Sequence, residues 1–173
     1  KIEFGVENGE FNAYFNRMGI TFQFVEYKPI EREEEEEEGE EEGEKQKFEP
    51  VWHSVNLKFM NANRTTQMVT GEKAKEYYNY AGTGTQYNFV PAYKKIKYVN
   101  LYPGVDAEFA FAEEGGIKYQ FIVRPGVAVP EIAFELTGND NLTLDVNGNL
   151  LIQSVFGNLT DHAESPQVYD DDG

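Results

Sequence analysis

The chain has 173 residues, no cysteine, and a formal net charge of −16 at neutral pH. The absence of cysteine excludes a disulfide framework, thiolate metal sites and a cysteine nucleophile. The length fits one domain. A content of 11 Tyr and 13 Phe favours strands over helices. No apolar run approaches the roughly 20 residues that a membrane-spanning helix requires.

Most of the negative charge lies in one segment. Residues 31–44 contain eleven Glu and one Arg, which account for −10 of the total of −16. We expect residues 29–46 to form a disordered acidic loop, because dense like charges repel each other and cannot bury apolar area. The alternative roles of this loop are diffuse binding of divalent cations and electrostatic attachment of a basic partner. The acidic balance argues against nucleic acid and anionic lipid, since both attract basic surfaces.

The first third of the chain alternates apolar and polar residues with the period of a strand. Residues 2–6, 11–15, 20–27 and 48–59 are predicted strands. Asn8-Gly9 and Arg17-Met18-Gly19 are the predicted turns between the first three. His53 faces inward with Val51, Val55 and other apolar residues of its strand. We interpret it as structural, because no nucleophile or carboxylate partner is evident in the sequence.

Residues 65–81 are predicted to be irregular or to form one short helix, because residues 71–76 include helix formers. Four tyrosines near this segment are candidate ligand-binding residues: Tyr77, Tyr78, Tyr80 and Tyr87. Two interpretations remain open for them. A planar ring with a polar tip suits the face of a sugar, whereas tyrosines also pack across strands as structural residues.

Residues 93–123 predict three strands joined by two turns. Tyr102-Pro103-Gly104 forms the first turn, in which Pro presets φ at one corner and Gly supplies a positive φ at the next. Residues 113–116 form the second turn. Phe109 and Phe111 share the inward face of the middle strand, and a register slip by one residue would expose both to water.

The last part of the chain predicts further strands at residues 131–137 and 155–160 and a hairpin between them. Asn147-Gly148 predicts a type I′ turn between residues 142–146 and 149–153. The spacing Asp145-x-Asn147-x-Asn149 imitates the start of a Ca²⁺ loop. The following Gly and the distal Glu are missing, so we predict a turn and no metal site.

Several of these motifs together resemble a known family. The motifs are Asn88-Phe89-Val90-Pro91-Ala92-Tyr93, Ile96-x-Tyr98-x-x-Leu101-Tyr102-Pro103-Gly104-Val105-Asp106 and Ile117-x-Tyr119-x-Phe121-x-Val123-x-Pro125-Gly126. The strand His53-x-Val55-x-Leu57-x-Phe59, the Gly148-Asn149-Leu150 segment and the exit from Pro166 to Tyr169 also match. The pattern resembles the β-rich domain of unknown function found near the N-terminus of large Bacteroidetes surface proteins. It covers residues 11–169 except for the acidic segment, which departs from it.

The resemblance implies an extracellular location on the bacterial outer surface. Domains of this kind precede propeller-type, PKD-like or immunoglobulin-like modules in long exported chains. Those chains are often cargo of type nine secretion, and some act in gliding or adhesion. The expected partners are therefore other domains of the same chain and cell-surface proteins or glycans. The shared positions are turns and strand faces, so the resemblance supplies no catalytic residue.

Together these features predict an all-β antiparallel sandwich of short strands. Residues 1–173 form one module, with two sub-lobes divided near residue 85 as the alternative. We expect a piece of a longer protein. The predicted function is that of a non-catalytic structural or adhesive module, with no cofactor and no direct membrane insertion. A carbohydrate-binding module that uses the Tyr cluster is the alternative, and an enzyme is the third hypothesis.

Overall fold

The structure of the protein is a computed structural model that describes residues 1–7, 11–30, 46–81, 86–111, 116–129 and 131–167. In these ranges the regular secondary structure consists of β-strands, and no residue is helical. The predicted disordered segment, apart from its ends, lies outside the described residues. So do the Asn8-Gly9 turn and most of the turn predicted at residues 113–116.

Twelve strands form three antiparallel sheets in the described part of the chain. The strands are β1 (Phe4–Glu7), β2 (Asn12–Asn16), β3 (Gly19–Pro29), β4 (Phe48–Met60), β5 (Gln67–Ala81), β6 (Gln86–Tyr102), β7 (Val105–Phe111), β8 (Ile117–Val123), β9 (Ala133–Thr137), β10 (Asn141–Leu144), β11 (Leu150–Ser154) and β12 (Gly157–Asp161). Sheet A has the order β1-β2-β3-β4-β9, sheet B the order β5-β6-β7-β8, and sheet C the order β10-β11-β12. The predicted all-β antiparallel fold class is confirmed.

Sheet A packs against both other sheets. Its Phe15, Ile20 and Phe59 join residues of sheet B, among them Tyr98 and Phe109, in the main hydrophobic core. Further along the same sheet, Phe24 and Val55 pack with Ile152 of sheet C in a smaller core. The arrangement is a sandwich in which sheet A is one layer and sheets B and C together form the other.

The predicted inward and outward faces are confirmed along β4. Val55 and Phe59 are almost fully buried, whereas Trp52, on the opposite face, is 51% exposed. His53 lies in this strand as predicted, and its Nε2 is 2.6 Å from the carbonyl oxygen of Gly138. Side chains alternate between the two faces of a strand, so every second residue of β4 points into the core of sheet A.

The prediction of irregular structure or a helix at residues 65–81 is wrong for most of that segment. Residues 67–81 form the strand β5, which pairs with β6 along almost its whole length. Pairing outweighs the helix propensity of residues 72–76, because propensity differences are small beside the hydrogen bonds of a sheet. Strands β4, β5 and β6, with 13, 15 and 17 residues, are longer than the short strands predicted. Because β5 and β6 pair, the position near residue 85 separates two strands of one sheet.

The predicted type I′ turn at Asn147-Gly148 is also wrong. The β10–β11 pairing ends at Leu144 and Leu150, so the loop has five residues rather than two. The carboxylate of Asp145 accepts hydrogen bonds from the backbone N–H groups of Asn147 and Asn149, at 2.8 and 2.9 Å. Within this loop only Gly148 has a positive φ, of 85°. The Asp side chain therefore organises a wider loop by satisfying amides that a tight turn would pair with the opposite strand.

The β6–β7 turn is fixed by one nearly buried carboxylate. Asp106 is 7% exposed. Its Oδ1 accepts hydrogen bonds from the Asn100 N–H at 2.7 Å and from Arg124 Nη2 at 3.0 Å, and its Oδ2 lies 2.9 Å from Lys97 Nζ. Asn100 has a φ of 56°, and its side-chain oxygen accepts from the Gly104 N–H at 3.0 Å. The carboxylate thus connects β6, β7 and the segment that follows β8.

Gly104 is predicted to be required for steric as well as conformational reasons. Gly104 and Gly126 have similar positive φ values, of 74° and 76°. A Cβ on Gly104 would lie 2.6 Å from Val127 Cγ2, whereas one on Gly126 would meet nothing within 4 Å. Gly126→Ala should lower the free energy of unfolding by about 1 kcal/mol, and Gly104→Ala by about 2 kcal/mol. Denaturant unfolding measures both, and equal losses would contradict the steric contribution.

Asp106 is predicted to make the free energy of unfolding depend on pH in the acid range. Burial raises the pKa of Asp106, but the hydrogen bonds from Lys97, the Asn100 N–H and Arg124 outweigh it, so the net pKa lies below the ordinary value of 3.8. A lowered pKa contributes stability above the unfolded-state value, and the contribution is lost as pH falls through the folded-state value. Asp106→Asn should lower the free energy of unfolding by about 2 kcal/mol at neutral pH.

The same variant should also flatten the acid limb of the stability curve. Denaturant unfolding from about pH 6 down to about pH 2 measures this, and the exposed Asp140→Asn is the control. We expect the difference between wild type and Asp106→Asn to shrink as the pH falls. Curves that stay parallel over the whole range would refute the assignment.

Candidate functional site

The hairpin of β5 and β6 extends beyond the rest of sheet B. The registered pairs between β6 and β7 begin at Lys95 and Ala110. Residues 86–94 of β6 therefore pair with β5 alone among the described strands. We call residues 72–81 and 86–94 the arm. A two-stranded projection lacks a covering layer, so its side chains remain accessible to a partner.

The arm carries exposed aromatic rings. Tyr77, Tyr78 and Phe89 are 54%, 51% and 70% exposed. The ring centroids of Tyr77 and Phe89 are 5.0 Å apart with an interplanar angle of 45°. Exposed apolar residues that stand alone are ordinary, but a group of them on a projecting element is typical of an interaction site.

The four tyrosines predicted as ligand residues all lie on this arm. Tyr77 and Tyr78 pair with Pro91 and Val90, and the backbone of Tyr80 pairs with that of Tyr87. The side chains of Tyr80 and Tyr87 lie outside the described part of the structure. The geometry therefore exposes two of the predicted rings, on opposite faces of the arm because Tyr77 and Tyr78 are consecutive strand residues. Phe89 lies beside Tyr77.

Phe89 adopts a backbone conformation that is rare for a bulky residue. Its φ is 57°, in the left-handed region. The Asn79 side-chain oxygen accepts a hydrogen bond from the Phe89 N–H at 3.0 Å, next to a register shift between Tyr78 and Tyr80. The bulge therefore holds a large apolar ring outward at a conformational cost. Strain kept at an exposed position is a reason to look for function there. Sequence reasoning missed Phe89 as a site residue, because a Phe with positive φ has no sequence signature.

Charged side chains form ion pairs at the base of the arm. Lys95 Nζ lies 3.0 Å from Glu72 Oε1 and 3.7 Å from Glu108 Oε1. The hydrogen bond to Glu72, followed by the charge of Glu108, raises the pKa of Lys95, so the ammonium stays charged. Glu72 has a φ of 47° and precedes the register shift between Lys73 and Tyr77. Exposed ion pairs contribute little stability, so the pairing of β6 with β7, which begins at Lys95, determines where the arm starts.

Candidate catalytic and metal-binding groups do not converge in the described residues. The His53 ring packs edge-on against Phe156, with centroids 6.0 Å apart, in addition to its contact with Gly138. No group of three or more His, Asp or Glu side chains in the described ranges is placed to hold a metal ion. The Asp145 motif uses its carboxylate within its own loop, through bonds to Asn147 and Asn149. A search of the described residues found no helix of sufficient length and apolarity to cross a membrane.

These features define an all-β domain with a projecting aromatic arm. The chain belongs to the family described as a domain of unknown function (DUF7948), whose family model matches residues 1–173. Comparison with curated proteins and with solved structures gave no match.

The strain at Phe89 can be measured by comparing two substitutions. Phe89→Ala and Phe89→Gly both remove the ring and its contact with Tyr77, but only Gly relieves the positive φ. We expect Phe89→Gly to be more stable than Phe89→Ala by about 1 kcal/mol. Denaturant unfolding of the purified chain gives both values. If Ala were as stable as Gly, the bulge at Phe89 would not be strained.

Proposed function

We propose that this chain is a non-catalytic structural and adhesive module of a large protein displayed on the outer surface of a bacterial cell, and that the arm is its contact surface. The observation that carries the proposal is the exposed pair of Tyr77 and Phe89, with ring centroids 5.0 Å apart, on a projecting hairpin. The cell-surface context rests on the resemblance of the sequence motifs to Bacteroidetes surface proteins.

The shape of the domain supports a role in presenting a surface. Aromatic residues at an interface provide a large contact area for a small loss of side-chain entropy. Ile96, next to the base of the arm, is buried in the main core of sheets A and B, so the arm projects from an ordered part of the fold. Proposed partners are neighbouring domains of the same chain and cell-surface proteins.

A carbohydrate ligand is the second candidate, because of the Tyr77–Phe89 pair. Two exposed rings with centroids 5.0 Å apart provide an apolar face on which a sugar ring can stack. The Tyr77 hydroxyl can donate or accept a hydrogen bond at the edge of that face. This reading predicts that the same two rings recognise a glycan directly.

The adhesive role is tested in the full-length protein on cells. The double variant Tyr77→Ser with Phe89→Gly removes the paired rings and leaves the sheet contacts of the arm in place. We expect normal surface display, measured with a labelled antibody, and adhesion reduced to the level of cells that lack the protein. Tyr27→Ala, which removes a 64% exposed ring on β3, is the matched control and should leave adhesion unchanged. Normal adhesion of a displayed double variant would refute the contact role of the arm.

Two further measurements separate the alternatives. Binding of the purified chain to a glycan array, lost in Tyr77→Ser with Phe89→Gly, would favour carbohydrate over protein as the partner. The double variant His53→Gln with His162→Gln tests the non-catalytic reading, since these are the two histidines of the chain. We expect display and adhesion to survive. Loss of a measured turnover in a folded His variant would contradict the proposal.

A further inference from the structure

A cavity lies where sheets B and C meet above sheet A. Strands β8 and β12 are edge strands of these two sheets, and the Tyr119 hydroxyl of β8 donates a hydrogen bond to Asp161 Oδ2 of β12 at 2.7 Å. The cavity has a volume of about 490 Å³. Its walls join the two hydrophobic cores, with Phe59 and Phe109 from the main core and Ile152 from the smaller one.

The walls are apolar side chains that the fold directs inward but does not cover. Phe22, Leu57, Phe134, Leu136 and Leu159 are packed against one core or both, yet each is only partly buried. Inward-facing residues of a sandwich are normally fully buried, because side chains of the opposite sheet interdigitate with them. Here the opposite layer is split between two sheets, so the walls remain accessible.

We propose that this cavity is a binding site for a small, neutral, largely apolar molecule that carries one hydrogen-bond donor. This site is distinct from the arm and does not depend on the adhesive role. Its volume lies within the range of about 300–1,000 Å³ that is usual for small-molecule pockets. Predominantly aromatic and aliphatic walls with a few polar groups at one end are the composition of such pockets.

The polar end of the cavity selects the charge of the ligand. Among the described residues that line the cavity, Asp161 is the one that carries a charge. Burial, and then the hydrogen bond to Asp161, raise the pKa of the Tyr119 phenol, which therefore stays protonated and directed at the carboxylate. A carboxylate presents up to four acceptor positions, so Asp161 can accept from a ligand donor as well. A ligand anion would face a like charge in apolar surroundings, which is costly.

Two fluorescent probes that share one ring system test the site. N-phenyl-naphthylamine is neutral and carries one N–H donor, and anilinonaphthalene sulfonate adds an anionic group to the same rings. We expect the neutral probe to bind the wild-type chain saturably at one site, at least about tenfold more tightly than the anionic probe. Equal affinities, or no saturable binding of the neutral probe, would overturn the proposal.

Two substitutions and one control variant test the location of the site and its selectivity. Leu159→Trp fills the cavity and should weaken the neutral probe about tenfold or more. Val155→Trp should leave it unchanged, because Val155 is 65% exposed between β11 and β12 and does not line the cavity. Asp161→Asn keeps the cavity and an acceptor for Tyr119 but removes the charge, so it should bring the affinity of the anionic probe close to that of the neutral one. Each variant is first checked for an unchanged unfolding transition. If Leu159→Trp does not fold, the Asp161→Asn result decides, and unchanged selectivity in it would overturn the assignment.

Discussion

The contact of Phe59 with Tyr98 and Phe109 joins the two layers, and the rest of the structure depends on it. The ring of Phe59, on sheet A, lies 5.3 Å from that of Tyr98 and 6.3 Å from that of Phe109, both on sheet B. Tyr98 is completely buried, and its hydroxyl donates to the Asn16 carbonyl oxygen at 2.9 Å. Burial raises the pKa of Tyr98 strongly, so this phenol remains a donor across the neutral range. The arm projects from sheet B, and Phe59 and Phe109 line the cavity. The positions of the arm and the cavity therefore both depend on this contact.

The sequence was sufficient to predict the parts of the fold that follow from alternation and from turn chemistry. The inward residues of β4 and β7, such as Val55 and Phe109, could be identified because a sheet with one buried face imposes a period of two. The turn at Pro103-Gly104 could be identified because few residues accept its dihedral angles. These local constraints determine the fold class without any knowledge of which strands are neighbours.

The parts that were not predicted depend on tertiary partners. Residues 72–76 read as helix formers, but β6 provides a pairing partner that the local sequence does not reveal. Asn147-Gly148 reads as a tight turn, but the Asp145 carboxylate captures the loop amides instead. Phe89 at a positive φ and the open walls around Leu159 arise from a bulge and from a split layer. No periodicity in the sequence indicates either feature. Tyr77 and Tyr78 could be identified as candidate site residues because a cluster of one residue type is visible in the sequence.

The central claim is that sheets A and B form one cooperative scaffold on which the arm is a locally weaker extension. Native-state amide hydrogen exchange at increasing denaturant concentration tests it most directly, because it assigns an opening free energy to each strand. We expect β4, β7 and the C-terminal half of β6 to exchange with the same free energy as global unfolding, and residues 86–94 to open at a lower one. Separate opening free energies for β4 and β7 would contradict the claim, because the two layers would then unfold independently.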